Sequence, residues 1–146
     1  MRKVLASGSF DPFHLGHLYY LKAAKQLGDQ LIVIVDGDGL AIKKHGKVFM
    51  PLEDRLAIIE NLKCVDVAIV WGDGELGDMA DAIRYIKPEI FAKSGDRNSL
   101  ASIPELEVQA AKEINCNIVF NVGGGSESKI RASSDIISNY YKKKRR

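Results

Sequence analysis

Cysteine is scarce: Cys64 and Cys116 are the only two in 146 residues. They lie far apart and form no CxxC or Cys/His spacing, so neither a disulfide framework nor a cysteine-built zinc site is expected. Long apolar runs are missing too. Apolar residues make up 46% of the chain, yet no stretch approaches the roughly 20 residues that cross a bilayer. The basic start Met1-Arg2-Lys3 resembles that of a signal peptide, but Ser9, Asp11 and His14 interrupt any apolar core behind it. A cytoplasmic protein with no membrane partner is the expectation. Nor does one sign of charge dominate, with 21 Lys and Arg against 19 Asp and Glu. The last five residues, Lys142 to Arg146, are all basic and leave 16 basic against 19 acidic residues in the body. Such a body is no nucleic-acid binder by charge, and only the tail could hold RNA or an acidic surface. The length suits one domain. Its expected extent is 1–140, with 141–146 as a basic tail.

What the chain does contain is alternation. Apolar runs at Val4–Ala6, Leu31–Val35, Val67–Trp71, Ile90–Ala92 and Ile118–Val122 are separated by stretches of helical period. That order predicts an α/β fold, a Rossmann-like domain with a five-stranded parallel sheet and helices on both faces. The first helix should stop at Gly28. Pro51 opens a second, with Leu52, Leu56, Ile59 and Leu62 inward. Leu76, Met79, Ile83 and Ile86 mark a third, ended by Pro88. Pro104 opens a fourth with Leu106, Ala110 and Ile114 inward, and a fifth starts near Ser133 or Ser134. Two segments carry no strong pattern, Gly37–Phe49 and Lys93–Ser102. Both follow strands, where open parallel sheets place their ligand crevice.

Chemistry concentrates at residues 8–17, Gly-Ser-Phe-Asp-Pro-Phe-His-Leu-Gly-His, where the first strand meets the first helix. Helix N-termini carry unpaired N–H groups and partial positive charge, so His14 and His17 in that first turn add donors where anions already prefer to sit. The two histidines could instead ligate a metal with Asp11, but no fourth ligand stands nearby, and no protein-held metal is expected. Lys43-Lys44-His45-Gly46-Lys47 forms a cationic, glycine-bearing segment after the second strand, placed to close over an anion. Gly72-Asp73-Gly74-Glu75-Leu76-Gly77 is a literal GxGxxG. Asp73 and Glu75 would face a pyrophosphate, and Lys93 and Ser94 stand where a ribose-binding acid belongs, so the hexapeptide reads as a turn.

Residues 8–17 resemble the cytidylyltransferase-like branch of the nucleotidyltransferase superfamily, whose members carry G-[TS]-F-D-x-x-H-x-G-H at this place. Leu27-Gly28-Asp29, Asp38, Lys44, Lys47 and the P-x-E-x-R of Pro51–Arg55 extend the likeness over nearly the whole chain. The resemblance implies transfer of CMP or AMP from CTP or ATP to a small phosphorylated acceptor, with release of pyrophosphate. An inactive nucleotide-binding regulatory module is the alternative. The resemblance to the transferases implies catalytic roles for His14, His17, Lys44 and Arg131. Gly8, Ser9, Phe10, Asp11 and Gly16 would meet the nucleotide, Ser9 and Phe10 through backbone N–H groups. Asp38, Lys47 and Arg55 would meet the acceptor. Lys93-Ser94-Gly95-Asp96-Arg97 is similar to the K-G-G-D segment of heptose-phosphate adenylyltransferases, which adds Asp96 and Arg97 on the nucleotide side. Ser133 and Ser134, with Arg131 ahead of them, look like the Ser/Thr-rich segment before the last helix. Arg131 stands only two residues before the serines, closer than in the R-x-x-G-I-S-T of glycerol-phosphate cytidylyltransferases. Mg2+, bound mainly through nucleotide phosphates, and a homodimer are further implications.

Overall fold

The computed structural model describes residues 1–72, 77–95, 99–124 and 133–144. Strand β1 (Lys3–Gly8) leads into α1 (Leu15–Lys25), β2 (Gln30–Val35), α2 (Asp38–His45), α3 (Leu52–Glu60) and β3 (Val67–Val70). Then come α4 (Asp78–Ile86), β4 (Ile90–Ser94), a 3-10 turn (Leu100–Ser102), α5 (Glu105–Glu113), β5 (Asn117–Val122) and α6 (Ser133–Lys144). The strands form one parallel sheet in the order β3-β2-β1-β4-β5, so the chain reverses its direction of travel between β3 and β4. Such a reversal opens a crevice outside the strands' carboxyl ends. The expected five-stranded, doubly wound α/β fold is the one observed.

Alternation along the strands divides the core. Val4 and Ala6 of β1, with Val33 and Val35 of β2, pack under Tyr20, Leu21 and Ala24 of α1 and Ile59 of α3. Leu5, Ile32, Ile34 and Phe91 face the other way, onto Ala80 and Ile83 of α4 and Ala110 of α5. Strands buried on both faces read as continuous apolar runs, which is why they were legible. Among the described residues no helix is long and apolar enough to cross a membrane.

Three local expectations need correction. The segment Gly37–Phe49 is not patternless loop, for it contains α2. That helix buries only Ala41, so it shows no apolar stripe, and it ends at Gly46 with φ 81°. Helix α1 stops at Lys25, before Gly28. Glycine is required at 28 because a Cβ there would come within 2.8 Å of the Arg2 carbonyl oxygen and of Val4. In α5, Leu106 is exposed while Glu107 is buried, its carboxylate accepting a hydrogen bond from Lys93 Nζ at 2.9 Å. A paired glutamate thus takes a position that periodicity gave to leucine. Apart from these, α6 runs to Lys144 and so includes the first basic residues of the tail.

Candidate active site

At the carboxyl end of β1 the chain turns over a buried aromatic side chain. Phe10 has φ 53° and a ring that is buried in the core. A Cβ on Gly8 would sit 3.1 Å from that ring, so Gly8 leaves the space into which Phe10 folds. The side chain of Phe10 therefore belongs to the core, and only its backbone is left to meet a ligand.

His14 caps α1 from an extended conformation. Its Nδ1 accepts the N–H of Gly16 at 3.1 Å, and Nδ1 of His17 accepts the N–H of His14 at 3.2 Å, so the two residues form a reciprocal capping box. Histidines here do the work usually done by Ser and Glu. The rings stack with centroids 3.7 Å apart, and His17 stands edge-on to Phe10 at 5.1 Å. A ring whose Nδ1 accepts a hydrogen bond carries its proton on Nε2. Both imidazoles are thus fixed in one tautomer and one orientation by the helix they start.

The acidic residues nearby are held by the protein itself. Asp11 accepts the N–H groups of Phe49 at 2.7 Å and Met50 at 2.6 Å, clipping the α2–α3 loop to the turn after β1. Asp38 pairs with Arg55 Nη2 at 2.6 Å. Arg55 is 0% exposed, and its guanidinium also donates to Met50 O at 2.9 Å, Ser9 O at 2.8 Å and Asp36 O at 2.6 Å. The sequence suggested an arginine that meets acceptor phosphate. The structure places it beneath the site, tying three loops together.

Asp36 is the residue the sequence reading missed. It lies one position past β2 and is 2% exposed. Its Oδ2 accepts from Ser9 Oγ at 2.7 Å and from Lys44 Nζ at 2.8 Å, while Lys44 itself is 48% exposed. The carboxylate is enclosed and the ammonium half exposed, so loss of the lysine would leave a buried charge with Ser9 Oγ as its donor. A signal was present in the chain: an acidic residue directly after an apolar strand, eight positions before Lys44. The family likeness points instead to Asp38, two residues on. His45 Nε2 lies 3.5 Å from Ser9 Oγ, and Lys47 Nζ stands 5.7 Å from the ring centroid of Tyr141 in α6.

Hydrogen bonds thus connect Ser9, Asp11, Asp38, Lys44 and Arg55 beside the His14–His17 cap and Gly16, all past the carboxyl ends of β1 and β2. Lys47 meets α6. Asp96, Arg97 and Arg131 lie outside the described residues, as do positions 73–76, where the sequence suggested a turn. Ser133 and Ser134 open α6.

Comparison with known proteins bears on the same features. The Cytidylyltransferase-like family model matches residues 5–141. The chain belongs to the cytidylyltransferase-like family. Among its curated relatives is the FAD synthase of Thermoplasma volcanium, 44% identical over 100 residues and covered, like this chain, to 66%. The chain therefore spans just under two thirds of that relative's length. The FAD synthase of Methanosphaerula palustris is 33% identical over 137 residues, which cover 94% of this chain and 86% of the relative. A crystal structure of a lipopolysaccharide core biosynthesis protein from Thermoplasma volcanium superposes with a TM-score of 0.67 at 38% identity, covering 83% of this chain and 96% of that one.

Proposed function

We propose that this chain is an adenylyltransferase that makes FAD from ATP and FMN. An FMN phosphate oxygen would attack the α-phosphorus of ATP, the bond from that phosphorus to the β-phosphate bridge oxygen would break, and pyrophosphate would leave. Negative charge grows on the equatorial oxygens and on the leaving group, so fixed donors are the main requirement. The observation that carries this reading is the capping box. It commits both Nδ1 atoms to the helix start and so keeps the N–H of each ring on Nε2, the form in which a neutral imidazole donates to phosphate. The α1 N-terminus adds its own partial positive charge.

Lys44 supplies a cation beside the phosphates. The FAD synthase relatives favour AMP over CMP and a flavin phosphate over a polyol phosphate. Phe49, 54% exposed on the loop that Asp11 clips down, and Tyr141 beside Lys47 give aromatic surface suited to a flat acceptor ring. The carboxylates of Asp11, Asp36 and Asp38 each accept protein donors, which fits a Mg2+ carried on triphosphate oxygens and water. That ion would neutralise charge on the leaving group.

Pyrophosphate release tests the reading, with ATP and CTP each paired with FMN, glycerol phosphate and heptose phosphate. ATP with FMN should be the productive pair. His14→Ala and His17→Ala should each lower turnover about 100- to 1,000-fold, the usual result of losing one positioned donor, with the fold retained. Near wild-type turnover in either variant, or no turnover of FMN, would overturn it.

A further inference from the structure

We infer that Asp36 is a positioning residue for nucleotidyl transfer, one that holds the Lys44 ammonium at the phosphate site before the nucleotide arrives and keeps hold of it afterwards. This rests on the nucleotidyl-transfer reading above, though not on the identity of the acceptor. Lysine is a flexible point charge on a four-carbon stem, and fixing such a side chain is worth about two- to ten-fold in affinity or rate. Here one buried oxygen does the fixing. Asp36 Oδ2 accepts both Ser9 Oγ and Lys44 Nζ, so the hydroxyl of the turn after β1 and the cation of α2 are registered against the same atom.

The burial contrast decides whether Lys44 would leave Asp36 for a phosphate. Asp36 is almost wholly enclosed and Lys44 half exposed. Departure would strand an ionised carboxylate with only a hydroxyl for company, which is strongly unfavourable. An ammonium has three N–H donors and uses one here, so it can bridge carboxylate and phosphate without moving away. Ser9 Oγ gives its single proton to Asp36, which leaves its backbone N–H as the group that meets a phosphate oxygen. Other groups facing this carboxylate's residue are consistent with a fixed post. The Asp36 N–H donates to Gly8 O at 2.9 Å, its carbonyl accepts from Arg55, and His45 Nε2 stands 3.5 Å behind Ser9 Oγ.

The test is a set of four proteins, namely wild type, Asp36→Asn, Lys44→Met and the double variant, assayed for pyrophosphate release from ATP and FMN and for thermal unfolding. With Lys44 present, Asp36→Asn should lower kcat/KM for ATP about three- to ten-fold while KM for FMN stays within about two-fold. In the Lys44→Met background the same change should cause no loss, or a gain, because an unpaired carboxylate beside a polyanion is only repulsive. Asp36→Ser should repeat both results. Equal losses in the two backgrounds would make Asp36 scaffold alone and overturn the inference. Tighter or faster use of ATP by Asp36→Asn with Lys44 in place would also overturn it, by showing that the carboxylate competes with phosphate. If wild type does not turn over FMN, the acceptor assignment fails on its own, and calorimetric titration of the four proteins with ATP reads the inference. Weakening of about three-fold or more with Lys44 and none without supports it, and any other pattern refutes it.

Discussion

Truncating Arg55 to alanine should destabilise the fold far more than it alters any encounter with substrate in the folded protein. Four acceptors lose their donor: Met50 O, Ser9 O, Asp36 O and Asp38 Oδ1, now held at 2.9, 2.8, 2.6 and 2.6 Å. Asp38 is 49% exposed and will rehydrate, so its share is small. The Asp36 carbonyl is buried, and an orphaned buried acceptor costs about 1–3 kcal/mol. The other two carbonyls are partly buried and recover some hydration in the space left by the guanidinium, at about 1 kcal/mol each. The sum is about 3–5 kcal/mol, against a total of about 5–15 kcal/mol for a typical domain. For a chain of this length that is a fall in Tm of about 10 °C or more. Arg55→Lys, whose single ammonium cannot span four acceptors, should lose roughly half as much. Urea denaturation followed by far-UV circular dichroism gives the number, provided the slope m is unchanged. Arg55→Ala within about 1 kcal/mol of wild type, with KM for the acceptor raised, would refute the reasoning and return the side chain to the ligand.

Two further outcomes follow from titratable groups away from the site. The Lys25 ammonium at 2.6 Å, and then the Leu31 N–H at 2.7 Å, hold the Asp66 carboxyl below the usual carboxylate range. The folded state then binds this proton less tightly than the unfolded chain, so the stabilisation is present above about pH 4 and is lost as pH falls through the folded value. Asp66→Asn should reduce stability by under about 1 kcal/mol at pH 6, since the pair is partly exposed. That deficit should shrink as the pH falls below about 4, and a constant deficit would refute the linkage. Burial, and next the Glu89 charge, push the Cys116 thiol up to about 11. Its thiolate fraction at pH 8 is then about one in a thousand, so iodoacetamide should label Cys116 in the native protein on the order of a hundred-fold more slowly than in urea. Mass spectrometry at short labelling times checks this, and equal rates would refute it.

Most of the architecture was legible because parallel strands and helix stripes write their burial into hydrophobic period. The five strands and the order of their helices came from that signal, and the turn after β1 from its residue types. What stayed hidden obeys other rules. Helix α2 buries a single alanine and so leaves no stripe. Glu107 is buried because Lys93 meets it, and a pair formed across 14 residues has no local pattern. The P-x-E-x-R likeness named Arg55 without revealing which way it points. Its burial depends on three carbonyls from separate loops, none identifiable from side-chain identity. Asp36 went unnoticed for a related reason, since a carboxylate matters here through partners 27 and 8 residues away.

The histidine cap has one consequence that can be watched directly. Because Nδ1 of each ring is the acceptor for a main-chain N–H, a second proton on either ring would set donor against donor at the start of α1. A second ring proton would therefore work against the two cap hydrogen bonds at the start of the helix. The amide resonances of His14 and Gly16 become built-in indicators of ring charge, readable by nuclear magnetic resonance without substrate, label or turnover.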